Sequence, residues 1–165
     1  MIRVVAGDLA QQAVDAVLRP ADAGLGPVGP AAARLDELGG ASFAAQRRSA
    51  TPLEAGAAVV TGAGELAAGY ALHVVIVDER GPAGRDTIRR ALVSAWQRAG
   101  DWGLARLAAP LVGVPDGQLT AEESAGLLVE TFPRGEGREG EMELRLVVAE
   151  TDRETIEGIV RRTQA

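Results

Sequence analysis

Apolar positions recur along the chain in short blocks that alternate between strand-length runs and helix-spaced stretches. Ile2 to Ala6 is a short apolar run closed by Gly7-Asp8, which predicts a first strand. Val14 to Leu18 predicts a second, with Pro20 stopping it because proline donates no ladder bond. Pro30 to Leu38 reads as a helix with proline at its start, closed by Gly39-Gly40. Ala57 to Thr61 predicts a strand ended by Gly62-Ala63-Gly64, and Tyr70 to Val77 a strongly apolar strand buried on both faces.

The second half repeats the alternation. Ile88, Leu92, Val93, Ala95, Trp96 and Ala99 fall at helical spacing and predict a helix over Asp86 to Trp102, ended by Gly100 and Gly103. Leu104 to Leu111 is the next strand, followed by a loop from Val112 to Gln118. Thr120 caps a helix to about Thr131, with Glu123 three residues on as a capping box. The polar, glycine-rich Pro133 to Gly140 reads as a hairpin or crossover, Met142 to Ala149 as a strand, and Thr151 or Asp152 as the cap of a last helix. About six strands thus interleave with four helices, without repeat or long linker. The expected architecture is α/β: one domain over residues 1–165, a three-layer α/β/α sandwich around a mixed, mostly parallel sheet.

Composition narrows the chemistry. Aromatic residues make up only 3% of the 165, so the core is built from Val, Leu, Ala and Ile. No apolar run approaches the length of a membrane span, and no basic region leads into a long apolar stretch near Met1, so the expected location is cytoplasmic, with no membrane partner. Without cysteine there is no disulfide and no thiol chemistry, and a single histidine, His73, leaves no expectation of a metal. A net charge of −6 argues against general nucleic-acid binding. The basic residues are all arginine, because the chain holds no lysine; it holds no asparagine either.

Two loops follow strands and precede helices: Asp22 to Pro30, and Gly113-Val114-Pro115-Asp116-Gly117-Gln118. Such loops present backbone N–H groups to anions, and they also serve simply as tight turns. Asp8 is placed to accept a hydrogen bond from an amino group, or to cap a turn. Gly62-Ala63-Gly64 lacks the third glycine of a dinucleotide fingerprint and reads as a turn. His73, inside an apolar strand, reads as a buried core residue.

The order of these pieces resembles the macro domain, the ADP-ribose-binding module. Gly7-Asp8-Leu9 matches the family's Gly-Asp-Ile, and Val14 to Asp22 its Val-Asp-Ala-Ile-Val-Asn-Ala-Ala-Asn. Gly24-Leu25-Gly26-Pro27-Val28 stands for the glycine-rich loop. Gly56 to Gly62 and Leu66 to His73 resemble the segments that follow, and Ala109 to Gly117 the later phosphate loop. The resemblance implies that ADP-ribose or a related phosphorylated nucleotide is the partner, with no cofactor. It implies a site built from Asp8 and Leu9 at the adenine, Arg19 and Asp22, the loop residues Gly24, Gly26 and Val28, and Gly113, Val114, Asp116 and Gly117 of the second loop. It implies a structural role for His73.

Some positions depart from the family pattern. Arg19 and Asp22 stand where the family carries asparagines, and Pro27 and Pro115 lack the N–H that a phosphate loop offers. Losing two hydrogen bonds to charged groups, each worth about 1.5–3 kcal/mol, weakens binding by roughly two to four decades. After Val28 come Gly29-Pro30-Ala31-Ala32, with no titratable group to orient water, so no catalytic residue is assigned. The leading expectation is a weak nucleotide-binding module. The alternatives are a ligand-silent macro fold with a structural or interaction role, marked by an Arg19–Asp22 pair closing the cleft, and an ADP-ribosyl hydrolase.

Overall fold

Five strands run parallel from one edge of a single sheet. The computed structural model describes residues 1–48, 52–135 and 141–165. Its strands are β1 (Ile2–Ala6), β2 (Ala16–Asp22), β3 (Ala58–Gly62), β4 (Tyr70–Asp78), β5 (Gly81–Pro82), β6 (Arg106–Ala109) and β7 (Glu143–Val148). The order across the sheet is β1-β7-β6-β2-β4-β3. β1, β7, β6, β2 and β4 are mutually parallel, while β3 and the two-residue β5 lie antiparallel to β4. The mixed, mostly parallel sheet is therefore as expected, with one more strand than the hydrophobic pattern predicts.

The helices are α1 (Pro30–Gln46), α2 (Arg85–Asp101), α3 (Ala121–Thr131) and α4 (Glu150–Gln164), with a 3-10 turn at Leu9–Gln11. Alternation along the central strands splits the interior in two. Ala16 and Leu18 of β2 join Leu72, Val74 and Ile76 of β4 against α2, α3 and α4, where Trp96, Leu128 and Ile159 close the larger core. Val17 and Ala71 face the other way, into a smaller core capped by Leu9, Leu35 and Phe43. Helices thus cover both faces of a parallel sheet, as a sheet that buries both sides requires.

Several boundaries differ from the expectation for identifiable reasons. Pro20 does not end β2, which pairs with β4 from Ala16 to Asp22. Its C=O points away from β4 and accepts the Val28 N–H at 3.1 Å, so its nitrogen faces the side where β6 pairs only with Ala16 and Val17. A missing N–H there removes no ladder bond. Gly39-Gly40 bends α1 rather than closing it: Gly40 takes φ 70°, ψ −167°, and the helix resumes to Gln46. A Cβ on Gly39 would fall 2.6 Å from the Phe43 ring, so the glycine pair lets the second half of the helix fold down onto the sheet.

At α4 the cap is Ala149, with no side-chain bond, two residues before the expected Thr151 and three before Asp152. Of the expected hairpin at Pro133–Gly140, residues 136–140 lie outside the described residues. The Thr120 capping box forms as expected, with Glu123 N–H donating to Thr120 Oγ1 at 3.1 Å and the reciprocal bond at 3.0 Å. Replacing Thr120 by alanine is expected to cost about 1 kcal/mol in a urea melt. A loss below a few tenths would mean that α3 is held by packing alone.

Candidate functional site

The parallel strands β1, β7, β6 and β2 deliver their carboxyl ends to one edge of the sheet, where α/β proteins hold ligands. Asp8 follows β1 and caps the 3-10 turn, one carboxylate oxygen accepting the Ala10 N–H at 3.0 Å. Its other oxygen accepts both Nε and Nη2 of Arg34, on α1, at 3.1 Å. The pair borders a pocket of about 360 Å³ whose walls include Leu9, Ala31, Pro110 and Val148. Apolar walls with one carboxylate and one cation at the rim suit a flat heterocycle bearing a polar group.

The glycine-rich loop after β2 is folded onto itself. Asp22 Oδ1 accepts the Gly24 N–H at 3.0 Å and the Gly26 N–H at 2.7 Å. Backbone bonds tie Leu25 N–H to Asp22 C=O and Asp22 N–H to Gly26 C=O, both at 3.0 Å. Leu25 adopts φ 63° and buries its side chain against Ala21 and Val75. A Cβ on Gly26 would meet Asp22 Oδ2 at 2.6 Å, so glycine is what lets the carboxylate lie across the loop.

The second loop is anchored from behind. Gln118 Nε2 donates to the C=O of Ile76 and Ala83 at 2.9 and 3.0 Å, and Ser124 Oγ to Val112 C=O at 2.7 Å. Gly113, at φ 79°, packs under Ile88 and Leu119. At the tip, Pro115 approaches the first loop so closely that a Cβ on Gly29 would touch its ring at 3.4 Å.

Below the cleft, between β2, β4 and α1, lies a buried polar cluster. Arg19 is fully buried and grips Asp36 of α1 with two parallel bonds, Nε to Oδ1 at 2.8 Å and Nη2 to Oδ2 at 2.9 Å. Its Nη1 meets His73 Nδ1 at 3.1 Å. His73 is the residue directly opposite Arg19 on β4, and its Nε2 lies 2.8 Å from Thr61 Oγ1. Burial, then the Arg19 and Arg47 cations, hold the imidazole down at about 3. It is neutral, and because arginine only donates, Nδ1 accepts and the proton is on Nε2, facing Thr61. Phe43 stacks on His73 at 6.0 Å, and Arg47 covers the Phe43 ring at 5.0 Å while reaching Asp36 at 3.5 Å.

The macro domain family model matches residues 19–128. The chain belongs to the macro domain family. An uncharacterized protein of Mycobacterium tuberculosis is 27% identical over 133 residues, 81% of this chain and 37% of that protein. Another, of Aeropyrum pernix, is 29% identical over 132 residues, 76% of this chain and 67% of that protein. The chain spans little more than a third of the mycobacterial relative's length. Among solved structures, the Trypanosoma brucei macrodomain in complex with ADP matches 96% of this chain and 68% of its own, with TM-score 0.83 and 18% identity. A point mutant of the Oceanobacillus iheyensis macrodomain with ADPR matches 99% and 91%, with TM-score 0.73 and 13% identity. At those identities the likeness is one of fold.

Within this macro domain, Asp8 and Leu9 line the pocket, whereas Asp22, Gly24, Gly26 and Val28 lie in the loop after β2 and Gly113, Val114, Asp116 and Gly117 in the loop after β6, outside that lining. Arg19 is not at the cleft: it lies beneath it, and the Arg19–Asp22 pair that would mark the ligand-silent alternative does not form, Arg19 pairing with Asp36 and Asp22 bonding its own loop. Residues three apart in a strand point to opposite faces, which keeps the two apart. Sequence reasoning missed Arg34 and Asp36, although both lie on the first predicted helix, three to four residues from apolar positions that face the sheet. Among the described residues no group of three or more His, Cys, Asp or Glu converges to hold a metal, and no helix is long and apolar enough to cross a membrane.

Proposed function

We propose that this macro domain binds ADP-ribose or a related phosphorylated nucleotide, weakly, in the pocket beside Asp8. The pocket of about 360 Å³ at the carboxyl ends of β1 and β7 carries the reading. The structural relatives solved with ADP and ADPR support its choice of ligand class. Leu9, Pro110 and Val148 offer apolar surface to a base, Asp8 an acceptor for its amino group, and Arg34 a cation for a phosphate. Weakness follows from the loop: the donors of Gly24 and Gly26 are already engaged, and Pro27 and Pro115 have none to give.

Calorimetry with ADP-ribose is expected to show binding that Asp8→Ala weakens about tenfold or more, as loss of a hydrogen bond to a charged group does. Absence of heat at millimolar ligand would sink the reading. It would favour the second one, a ligand-silent macro fold with an interaction role, for which the approach of Pro115 to Gly29 is the supporting observation. No side chain at the cleft is assigned to chemistry, so ADP-ribosyl hydrolysis is not part of the proposal.

A further inference from the structure

We propose that Asp22 sets the specificity of this site, making it favour a nucleoside or nucleoside monophosphate over a nucleoside diphosphate sugar. The inference rests on the nucleotide-binding reading and names its ligand class. A loop that cradles a diphosphate does so with free N–H groups. Between Gly24 and Pro30 those groups are spoken for. Gly24 and Gly26 donate to the Asp22 carboxylate, Leu25 to the Asp22 carbonyl and Val28 to the Pro20 carbonyl, while residues 27 and 30 are prolines. Only the Gly29 N–H lacks a partner among the described residues, and the Pro115 ring lies against that residue.

Asp22 thus occupies the position of an anion in its own loop. A phosphate seeking the same donors must displace a carboxylate held at 2.7 Å, and if it settles beside that carboxylate the two like charges repel. At the other end of the cleft Arg34 is tied to Asp8 through Nε and Nη2, and neither bond uses its Nη1. Arg34 borders the open pocket, half exposed, and offers a guanidinium to a single phosphate on a nucleoside held beside Asp8. One phosphate gains a cation there, whereas extension toward the glycine loop meets Asp22.

The test is a calorimetric series of adenosine, AMP, ADP and ADP-ribose on the wild-type chain, Asp22→Asn and Asp8→Ala. Asparagine keeps an oxygen to accept the loop N–H groups but removes the charge. The wild type is expected to bind AMP at least as tightly as ADP-ribose. Asp22→Asn is expected to tighten ADP-ribose about tenfold or more while moving AMP by less than about twofold. Wild-type preference for ADP-ribose by tenfold, or an equal shift of both ligands in Asp22→Asn, overturns the assignment to Asp22 and leaves the Asp8 pocket standing. AMP binding that Asp8→Ala does not change, or no binding by any variant at millimolar ligand, overturns the nucleotide reading itself. Should Asp22→Asn fail to fold, the wild-type series alone decides.

Discussion

Asp36→Ala is expected to destabilise the domain by about 3–5 kcal/mol, the usual effect of removing one partner of a buried ion pair. Arg19 is 0% exposed and Asp36 supplies both of its charge-assisted bonds. Without the carboxylate the guanidinium keeps only His73 Nδ1, and it cannot relieve its burial by losing a proton, because arginine stays charged. The loss would consume a large part of the 5–15 kcal/mol by which domains of this kind are stable. Arg19→Met is expected to cost less, since Asp36 retains Arg47 at 3.5 Å and is partly open to solvent. Urea unfolding with unchanged denaturant sensitivity checks both. A loss below about 1 kcal/mol for Asp36→Ala would show that the pair is incidental to stability.

The second large effect is acid destabilisation that starts unusually early. The unfolded chain protonates His73 near its ordinary 6.5, whereas in the fold the imidazole stays neutral down to about 3. Between those values the unfolded state holds one more proton. Stability from this group is therefore complete above pH 6.5 and falls by about 1.4 kcal/mol per pH unit below it, roughly 4–5 kcal/mol in all. The carboxyls of Asp78, Glu123 and Glu143 also lie below their ordinary values, held there chiefly by backbone N–H groups at Asp78 and Glu123 and by Arg3 at Glu143. They pull the same way, but only as pH drops below about 4.5. Because the chain has one histidine, a loss of about 2 kcal/mol between pH 6.5 and 5 belongs to His73. Chemical melts at those two values measure it, and a folded His73→Gln variant is expected to flatten the slope. An equally steep slope in that variant would assign the effect elsewhere.

The sequence showed most of the scaffold because hydrophobic spacing reports burial, and burial is what a two-sided sheet demands. Ile2–Ala6 carries its own boundary in Gly7-Asp8, and Thr120 with Glu123 carries its cap. What escaped was whatever depends on a partner far along the chain. Pro20 reads as a stop only if both sides of β2 are paired, and nothing local reveals that β6 pairs with Ala16 and Val17 alone. β5, two residues long, leaves no periodicity to read. At the site, Asp8 was legible because it follows a strand end. The Arg19 partners were not: Asp36 is 17 positions away and His73 54, and they meet only when β4 pairs with β2 and α1 packs across them. Strict alternation along β2 was the available signal against pairing Arg19 with Asp22.

The place where β6 stops pairing has one more consequence. Beyond Val17 that flank of β2 is open, and the chain itself fills it: Ala21 bridges Pro27, Asp22 N–H reaches Gly26 C=O and Val28 N–H reaches Pro20 C=O. The glycine-rich segment is thereby sewn on as a stub of an extra strand. A segment built that way behaves as masonry rather than as a door. Any molecule entering the cleft meets a fixed wall whose shape was settled when the sheet formed, and selection among ligands falls to fit rather than to closure.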